Sequence, residues 1–325
     1  MPNKWLNQKG IEIAKQKYKV SNWSDYNESL KKRGEIEVWL SQELIDNWYF
    51  EERIYDGTGS SKHYTDAAII ACHEIRQVYK QPLRQTEGLI NSIFRLMDLT
   101  ITCPDYTSLS KRLQALGIKC PRYKKDSTPD GNITAIAIDT TGLKCFGRDE
   151  WHVEKHNVSP RRCWRKAHIG VDEHHIIQAA VLTDRFTHDD EAVDELLGQI
   201  PGEVEQFSAD GAYDETPVYD KLSAHSPDTD IVVPPAKNAV INPEAHPLRN
   251  RNIQEIADNG RMAWQRKRRY GQRNYSELAI QRYKRILGRA MHAREFSRQQ
   301  QEFMIGCSIL NKMTGLGMPV SFKNC

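Results

Sequence analysis

No stretch of this 325-residue chain approaches the roughly 18 consecutive apolar residues of a membrane span. The opening "MPNKWLNQKG" lacks the apolar h-region of a secretory signal, so a cytoplasmic protein without membrane contact is expected. Cysteine is sparse: seven residues, an odd number, scattered and with no CxxC pair. That argues against a disulfide frame or a zinc site and for reduced thiols. His152 and His156 in "EWHVEKH" have i,i+4 spacing but no third soft ligand. Neither GxGxxG nor a P-loop occurs, which removes the usual signs of nucleotide hydrolysis. Ser110 and Ser208 lack a His/Asp constellation, so serine-hydrolase chemistry is unsupported. No internal repeat or low-complexity tract stands out.

What is present is a globular composition, 39% hydrophobic and 27% charged, with length for one large domain or two modest ones. The net charge of +3 says little, but its distribution says more. From Arg249 to Arg298 there are 14 Lys/Arg against 4 Asp/Glu, and from Asp184 to Asp230 there are 14 Asp/Glu against 2 basic residues. A basic run can be a solvated helix face. Here it is interleaved with Trp264, Tyr270, Tyr275 and Tyr283, which favours a polyanion such as nucleic acid.

The first 60 or so residues mix charge and aromatics and suggest short helices. Three helical stretches follow, 66–80 (capped by Thr65), 85–99 and 107–117, the last with Thr107 or Ser108 as cap. Three short helices with tight connections, the third carrying Lys111 and Arg112, fit a helix-turn-helix. A plain helical bundle fits the same pattern. After a polar linker at 122–132 the texture changes to strands: "ITAIAIDTTG", "CWRKAHIGVDE", "HIIQAAVLT", then a helix over 188–200, the strand "VEQFSAD", a helix in "DETPVYDKLSAH" and the strand "TDIVVPP". The order βββ-α-β-α-β and a last helix predicts a mixed sheet flanked by helices. His174 and His175 read as a turn between strands, Asp189 or Asp190 as a cap of the 188–200 helix, and Asp214 as a helix cap, with a role as auxiliary metal neighbour the alternative.

Two strands close on an aspartate, Asp139 in "AIAID" and Asp210 in "QFSAD", each before small, turn-forming residues. Strand ends of open α/β sheets collect ligands, although lone aspartates there also serve as caps or turns. In "YGQRNYSELAIQRYK" a helical wheel with Tyr270 at zero puts Arg273 near 300°, Glu277 near 340° and Lys284 near 320°, an arc of about 60°. Ala279, Ile280, Tyr283, Ile286 and Leu287 occupy a separate arc of roughly 160–280°. The set reads as one helix face, with Tyr270 and Arg273 at or just before its start. A salt-bridged surface helix would explain a Glu beside a Lys but not the narrow arc. Three carboxylates without His or Cys are hard oxygen donors that select magnesium or manganese, and two such ions suit in-line attack at phosphorus.

With these residues in view, the chain resembles the DDE transposases of bacterial insertion sequences, in the insertion-sequence-five group. Tyr270, Arg273, Glu277 and Lys284 meet the Y-x2-R-x3-E-x6-K signature, "AIDTTGLK" resembles the first Asp block and "ADGAYD" the second. "RRCWRKAHIGVD", "LTDRFTHDDE", "VVPPAKNA", "LNKMTGLGMPVSF" and two N-terminal blocks are similar to further family segments, so the likeness runs from about Trp23 to Phe322. Thr140 stands where relatives often carry Ser.

The resemblance implies an α/β fold with a ribonuclease-H-like catalytic core over 131–325. A helical dimer or DNA-contact region over 1–62 and a helix-turn-helix-like DNA-binding region over 63–130 would precede it. It implies Asp139, Asp210 and Glu277 as catalytic residues and ligands of two Mg2+ ions, with Mn2+ able to substitute. Double-stranded DNA is the implied partner, as terminal inverted repeats and target, with a homodimer in the working complex. Candidate DNA contacts are Tyr270, Arg273 and Lys284, the blocks with Arg161, Arg162, Arg165 and Lys166 and with Arg266, Lys267, Arg268 and Arg269, then Lys237, Lys111 and Arg112. A transposase-derived protein that binds without cutting, and a ribonuclease-H-like nuclease that never joins, are the alternatives.

Overall fold

The computed structural model describes residues 18–55, 62–118, 133–145 and 164–323. In chain order the strands are β1 (Tyr18–Val20), β2 (Tyr49–Ile54), β3 (Lys62–Tyr64), β4 (Ile133–Lys144), β5 (Trp164–Asp172), β6 (Ile177–Asp184), β7 (Val204–Ser208), β8 (Asp230–Val232) and β9 (Ser321–Lys323). The N-terminal helices are α1 (Trp23–Lys32), α2 (Gln42–Asp46), α3 (Asp66–Val78), α4 (Leu83–Leu96) and α5 (Tyr106–Ala115). The remainder are α6 (Val193–Leu197), α7 (Thr216–His225), α8 (Pro247–Asn259), α9 (Arg261–Lys267), α10 (Asn274–Ile286) and α11 (Phe296–Leu316).

The centre is a mixed five-stranded sheet in the order β6-β5-β4-β7-β8. β4, β5 and β6 form the expected antiparallel meander, and β7 and β8 join β4's other edge in parallel. Such parallel joins need crossovers, which α6 and α7 supply. This mixed sheet with helices on both faces is consistent with a ribonuclease-H-like core. Side chains alternate along β4: Ile136 and Ile138 enter a core under α6 and α7, while Leu143 enters another under α10 and α11. Odd-numbered β4 residues therefore face α10.

α3, α4 and α5 pack on one another around Ile69, Cys72, Ile90, Phe94, Leu109 and Leu113. Thr65 caps α3 as expected, its hydroxyl accepting from the Ala68 amide at 3.2 Å. α5 is capped one turn earlier than expected, by Asp105, whose carboxylate accepts from the amides of both Thr107 (2.9 Å) and Ser108 (3.0 Å). An ionised oxygen bonds exposed helix amides more strongly than a hydroxyl does. The Cys72 and Cys103 sulfurs lie 3.8 Å apart as neighbouring thiols in this core.

The last long helix ties the halves together. Along α11, Ile305, Ile309 and Met313 enter the core of the N-terminal helices while Phe303, Met304, Cys307 and Leu310 lie under the sheet. The two ends of the described residues meet as well, since β1 pairs antiparallel with β9. Among the described residues no helix is long and apolar enough to cross a membrane.

Several expectations need correction. Asp139 does not close its strand, because β4 runs on to Lys144 with β5 as partner. The 188–200 helix shrinks to Val193–Leu197, because Asp189 is drawn onto Lys166 (3.0 Å) instead of capping it. Asp214 is not the N-cap of α7: Glu215 holds that position, and both Asp214 oxygens take hydrogen bonds from Arg249 at 3.0 Å. Tyr270–Arg273 form a separate 3-10 turn, entered from Arg269 in the left-handed region (φ 51°), so α10 begins at Asn274. Gly271 within this turn weakens any α-helical continuation.

Candidate active site

β4 and β7 pair in parallel from Ile133–Val204 through Ala137–Ser208, and β7 then ends. Two positions further in the same register, Asp210 comes level with Asp139. Both share the parity that faces α10. Asp139 is 9% exposed, its Oδ1 accepting from the Thr140 amide at 2.9 Å. Asp210 leads into the 3-10 turn Gly211–Tyr213, its Oδ1 accepting from the Ala212 amide at 2.9 Å. Thus β4 outruns β7, and the acids stand where the two backbones part.

α10 crosses this face on Ala279 and Tyr283, with Ile280, Ile286 and Leu287 half-buried beside them, so the apolar arc read from the sequence is the packed one. Glu277 falls in the first turn of α10, where the helix dipole favours a carboxylate. It forms an ion pair with Arg273, and Lys284 donates to the Thr141 hydroxyl, two residues beyond Asp139.

These groups act on one another electrostatically. Burial pushes Asp139 up to about 6, the Thr140 amide and Arg273 oppose that, and Asp210 and Glu277 raise it further. Burial works against the charge of Arg273, yet Tyr270, Glu277, Asp139 and Asp210 together hold its pKa above the ordinary value. Burial and the charge of Arg289 lower Lys284, and Asp139 pulls it back up. Asp139 thus feels Asp210, Glu277 and Arg273, and Lys284 in turn feels Asp139.

The donor set suits a hard cation, and the excess of carboxylate around buried Asp139 favours one. Among the described residues, though, no group of three His, Cys, Asp or Glu stands close enough to hold a metal ion. The ion pair to Arg273 engages Glu277. Magnesium commonly takes one or two carboxylates and completes its shell with water and substrate phosphate, so Asp139 and Asp210 fit the group without a third ligand in place.

The first acid is braced from behind. Thr140 points to the opposite face of the sheet, where its hydroxyl lies 2.6 Å from the Tyr213 hydroxyl and 2.8 Å from His168 Nδ1; His168 Nε2 lies 2.8 Å from the Thr183 hydroxyl. His168 is fully buried, and burial lowers it to about 4, so its ring is neutral near pH 7. This chain of polar groups joins β6, β5, β4 and the turn that Asp210 leads. No motif marks it, because its members come from four separate elements. Only the β4–β5 pairing of Thr140 with His168 hints at it.

The other expected contacts divide. Arg161 and Arg162 lie outside the described residues. Arg165 bonds Gln299 Oε1 (2.8 Å) and stacks on Phe296, and Lys166 is held by the Thr187 carbonyl (2.8 Å) and Asp189. Lys267 and Arg268 pair with Glu255, whose carboxyl the Arg268 hydrogen bond holds down at about 2. Arg112 is spent on Asp66 and the Tyr64 carbonyl. Arg266, Arg269 and Lys111 are exposed. Lys237, also exposed, lines a shallow groove with Arg261, Gly211 and Tyr270 beside the second acid.

Two family models, each described as a transposase DDE domain, match residues 31–148 and 130–312. The second alone spans more than half of the chain. The chain belongs to the DDE transposase family. The two matches overlap on the strand that carries Asp139, and the transposase match from 130 takes in Asp210, Glu277 and most of α11.

Proposed function

We propose that this chain is the DNA transposase of a bacterial insertion sequence in the insertion-sequence-five group. It binds the terminal inverted repeats of its element, hydrolyses a phosphodiester at each end to leave a 3′-hydroxyl, and joins that hydroxyl to target DNA. Joining exchanges one phosphodiester for another, so no ATP is required. The observation that carries the reading is the level placement of Asp139 and Asp210 on the sheet face crossed by α10, with Glu277 within electrostatic reach of Asp139.

In this reading Asp139 and Asp210 hold magnesium, with Glu277 as third ligand once it leaves Arg273; manganese can replace it. The metal supplies Lewis-acid activation of the attacking oxygen and charge neutralisation at phosphorus. Arg273 and Lys284 offset charge developing on the phosphoryl oxygens, and Tyr270 hydrogen-bonds or stacks on the DNA. Residues 131–325 form the catalytic region, 63–130 the DNA-reading region with a helix-turn-helix in α3–α5, and 1–62 a dimer or DNA-contact region. The protein works in the cytoplasm on the nucleoid, as a homodimer that pairs two ends.

The test uses duplex DNA carrying the ends that flank the gene, incubated with protein and magnesium, for wild type and Glu277→Gln. Nicked ends and joined products from wild type alone are expected. Cleavage by Glu277→Gln overturns the role of that residue. Cleavage without joining moves the assignment to a nuclease, and binding without cleavage by either protein moves it to a non-catalytic DNA-binding descendant.

A further inference from the structure

Between the turn joining α3 to α4 and the segment joining α10 to α11 lies a cavity of about 330 Å³. Its walls include Arg76, Lys80, His292 and Arg294, its carboxylate is Glu302, and Tyr283 contributes apolar surface. Glu302 offsets only part of this positive charge, being one carboxylate against Arg76, Lys80 and Arg294. Its oxygens also accept from the backbone amides of His292 (2.9 and 3.2 Å) and Ala293 (2.7 Å), which pins the wall. Arg76 is largely buried, feels Glu302 only at a distance, and bonds to no side chain among the described residues. Three full cations, Arg76, Lys80 and Arg294, against the single carboxylate of Glu302 leave the lining net positive, which favours an anion.

The rim of the cavity also adjoins the strand that carries Asp139. The segment that forms its rim runs beside the end of β4, with the Lys144 amide donating to the Arg289 carbonyl at 2.9 Å and the Met291 amide to the Lys144 carbonyl at 2.6 Å. Exposed Arg289 is near enough to lower the pKa of Lys284, and Lys284 bonds Thr141 on the strand of Asp139. Lys284 and Arg289 are thus neighbours beside the strand of the first acid, and Arg294, Arg76 and Lys80 line the cavity that the same segment borders.

We propose that the cavity seats a backbone phosphate of the DNA on which the acids act, so that the strand runs from α10 across residues 288–294 to the α3–α4 turn. The inference rests on the transposase reading. It adds a contact that reads no sequence and sets the direction in which DNA leaves the site.

The test measures binding of full-length protein to an element-end duplex over a range of KCl, comparing wild type with Lys80→Gln/Arg294→Gln. Both substitutions fall at exposed positions, and Arg76→Gln with Arg76→Lys as its charge-keeping control follows where thermal unfolding shows a folded protein. The double variant is expected to lose affinity and to flatten the slope of log K against log salt by about one to two, with preference for element ends over scrambled DNA retained. An unchanged slope beside a wild type that binds overturns the cavity contact alone. A wild type that binds no duplex overturns the transposase reading as well. If millimolar inorganic phosphate raises the melting temperature of wild type but not of the double variant while the DNA slopes coincide, the cavity takes a free anion and the DNA assignment fails.

Discussion

The hydroxyls of Thr140 and Tyr213 lie 2.6 Å apart, across the gap where β4 and β7 have ceased to pair. Asp139 immediately precedes Thr140, and Asp210 leads the turn that holds Tyr213. The bond therefore fixes the spacing of the two acids without touching either. Tyr213→Phe removes the bond while Thr140 keeps His168, Thr140→Val also strands the Tyr213 hydroxyl, and small misplacements of reacting groups cost up to about 100-fold in rate. The expected result is a 10- to 100-fold slower cleavage at unchanged DNA affinity, with a higher magnesium requirement. Thr140→Ser keeps the hydroxyl and should restore the rate. Equal losses in Thr140→Ser and Thr140→Val would show that packing, not the bond, matters.

Asp139 is kept at a cost to stability. Its folded pKa of about 6 lies above the ordinary 3.8, so the folded state holds its proton more tightly than the unfolded chain does. Below about pH 4 both states are protonated and the group contributes nothing. As pH rises through 6 the unfolded chain is favoured, by on the order of 2–3 kcal/mol in the limit. Asp139→Asn should thus raise stability in urea at pH 7 and make little difference at pH 4. Magnesium should stabilise wild type and not the variant. A less stable variant at pH 7 would contradict the burial argument.

Two buried histidines act in the opposite direction. Burial lowers both His73 and His168 to about 4, against an ordinary 6.5. Between those values the unfolded chain takes up protons that the folded one refuses, so stability present above pH 6.5 drains away as pH falls toward 4. Proton NMR of the imidazoles should show two rings that do not titrate between pH 5.5 and 8. Midpoints near 6.5 for all assigned histidines would refute it.

Gly306 lets α10 lie against α11. A Cβ there would meet Tyr283 Cε2 at 2.6 Å and its hydroxyl at 2.9 Å, so the buried Tyr283 ring would have to shift. Gly306→Ala should cost about 1–3 kcal/mol in urea unfolding and slow cleavage, because α10 carries Glu277 and Lys284. Tyr283→Leu in the Gly306→Ala background should recover part of both, a coupling that a double-mutant cycle reads directly. Additive losses would place the strain elsewhere.

Much of the architecture was legible in order along the chain. Alternating apolar residues marked β4 to β6, the 3.6-residue period marked α3 to α5 and α10, and both depend on local pattern alone. Asp139, Asp210 and Glu277 could be picked out because each sits in a short block with its own spacing. The packed side of α10 followed from the same wheel, although Gly271 and the left-handed Arg269 set Tyr270 and Arg273 in a separate turn.

Tertiary structure decided what those residues touch. The β4–β7 register brings Asp210 level with Asp139, and parallel pairing across a long crossover leaves no trace in either segment. Cations that looked alike in the sequence separated by partner: Arg112, Lys166, Lys267 and Arg268 found ion pairs, while Arg76 among the described residues has only the more distant charge of Glu302. α11 shows the same division. The two cores on its opposite sides exist only once the sheet and the N-terminal helices have closed around it. Periodicity is a property of neighbours in the chain, whereas register, ion pairing and shared cores depend on segments far apart in sequence, and only folding brings those together.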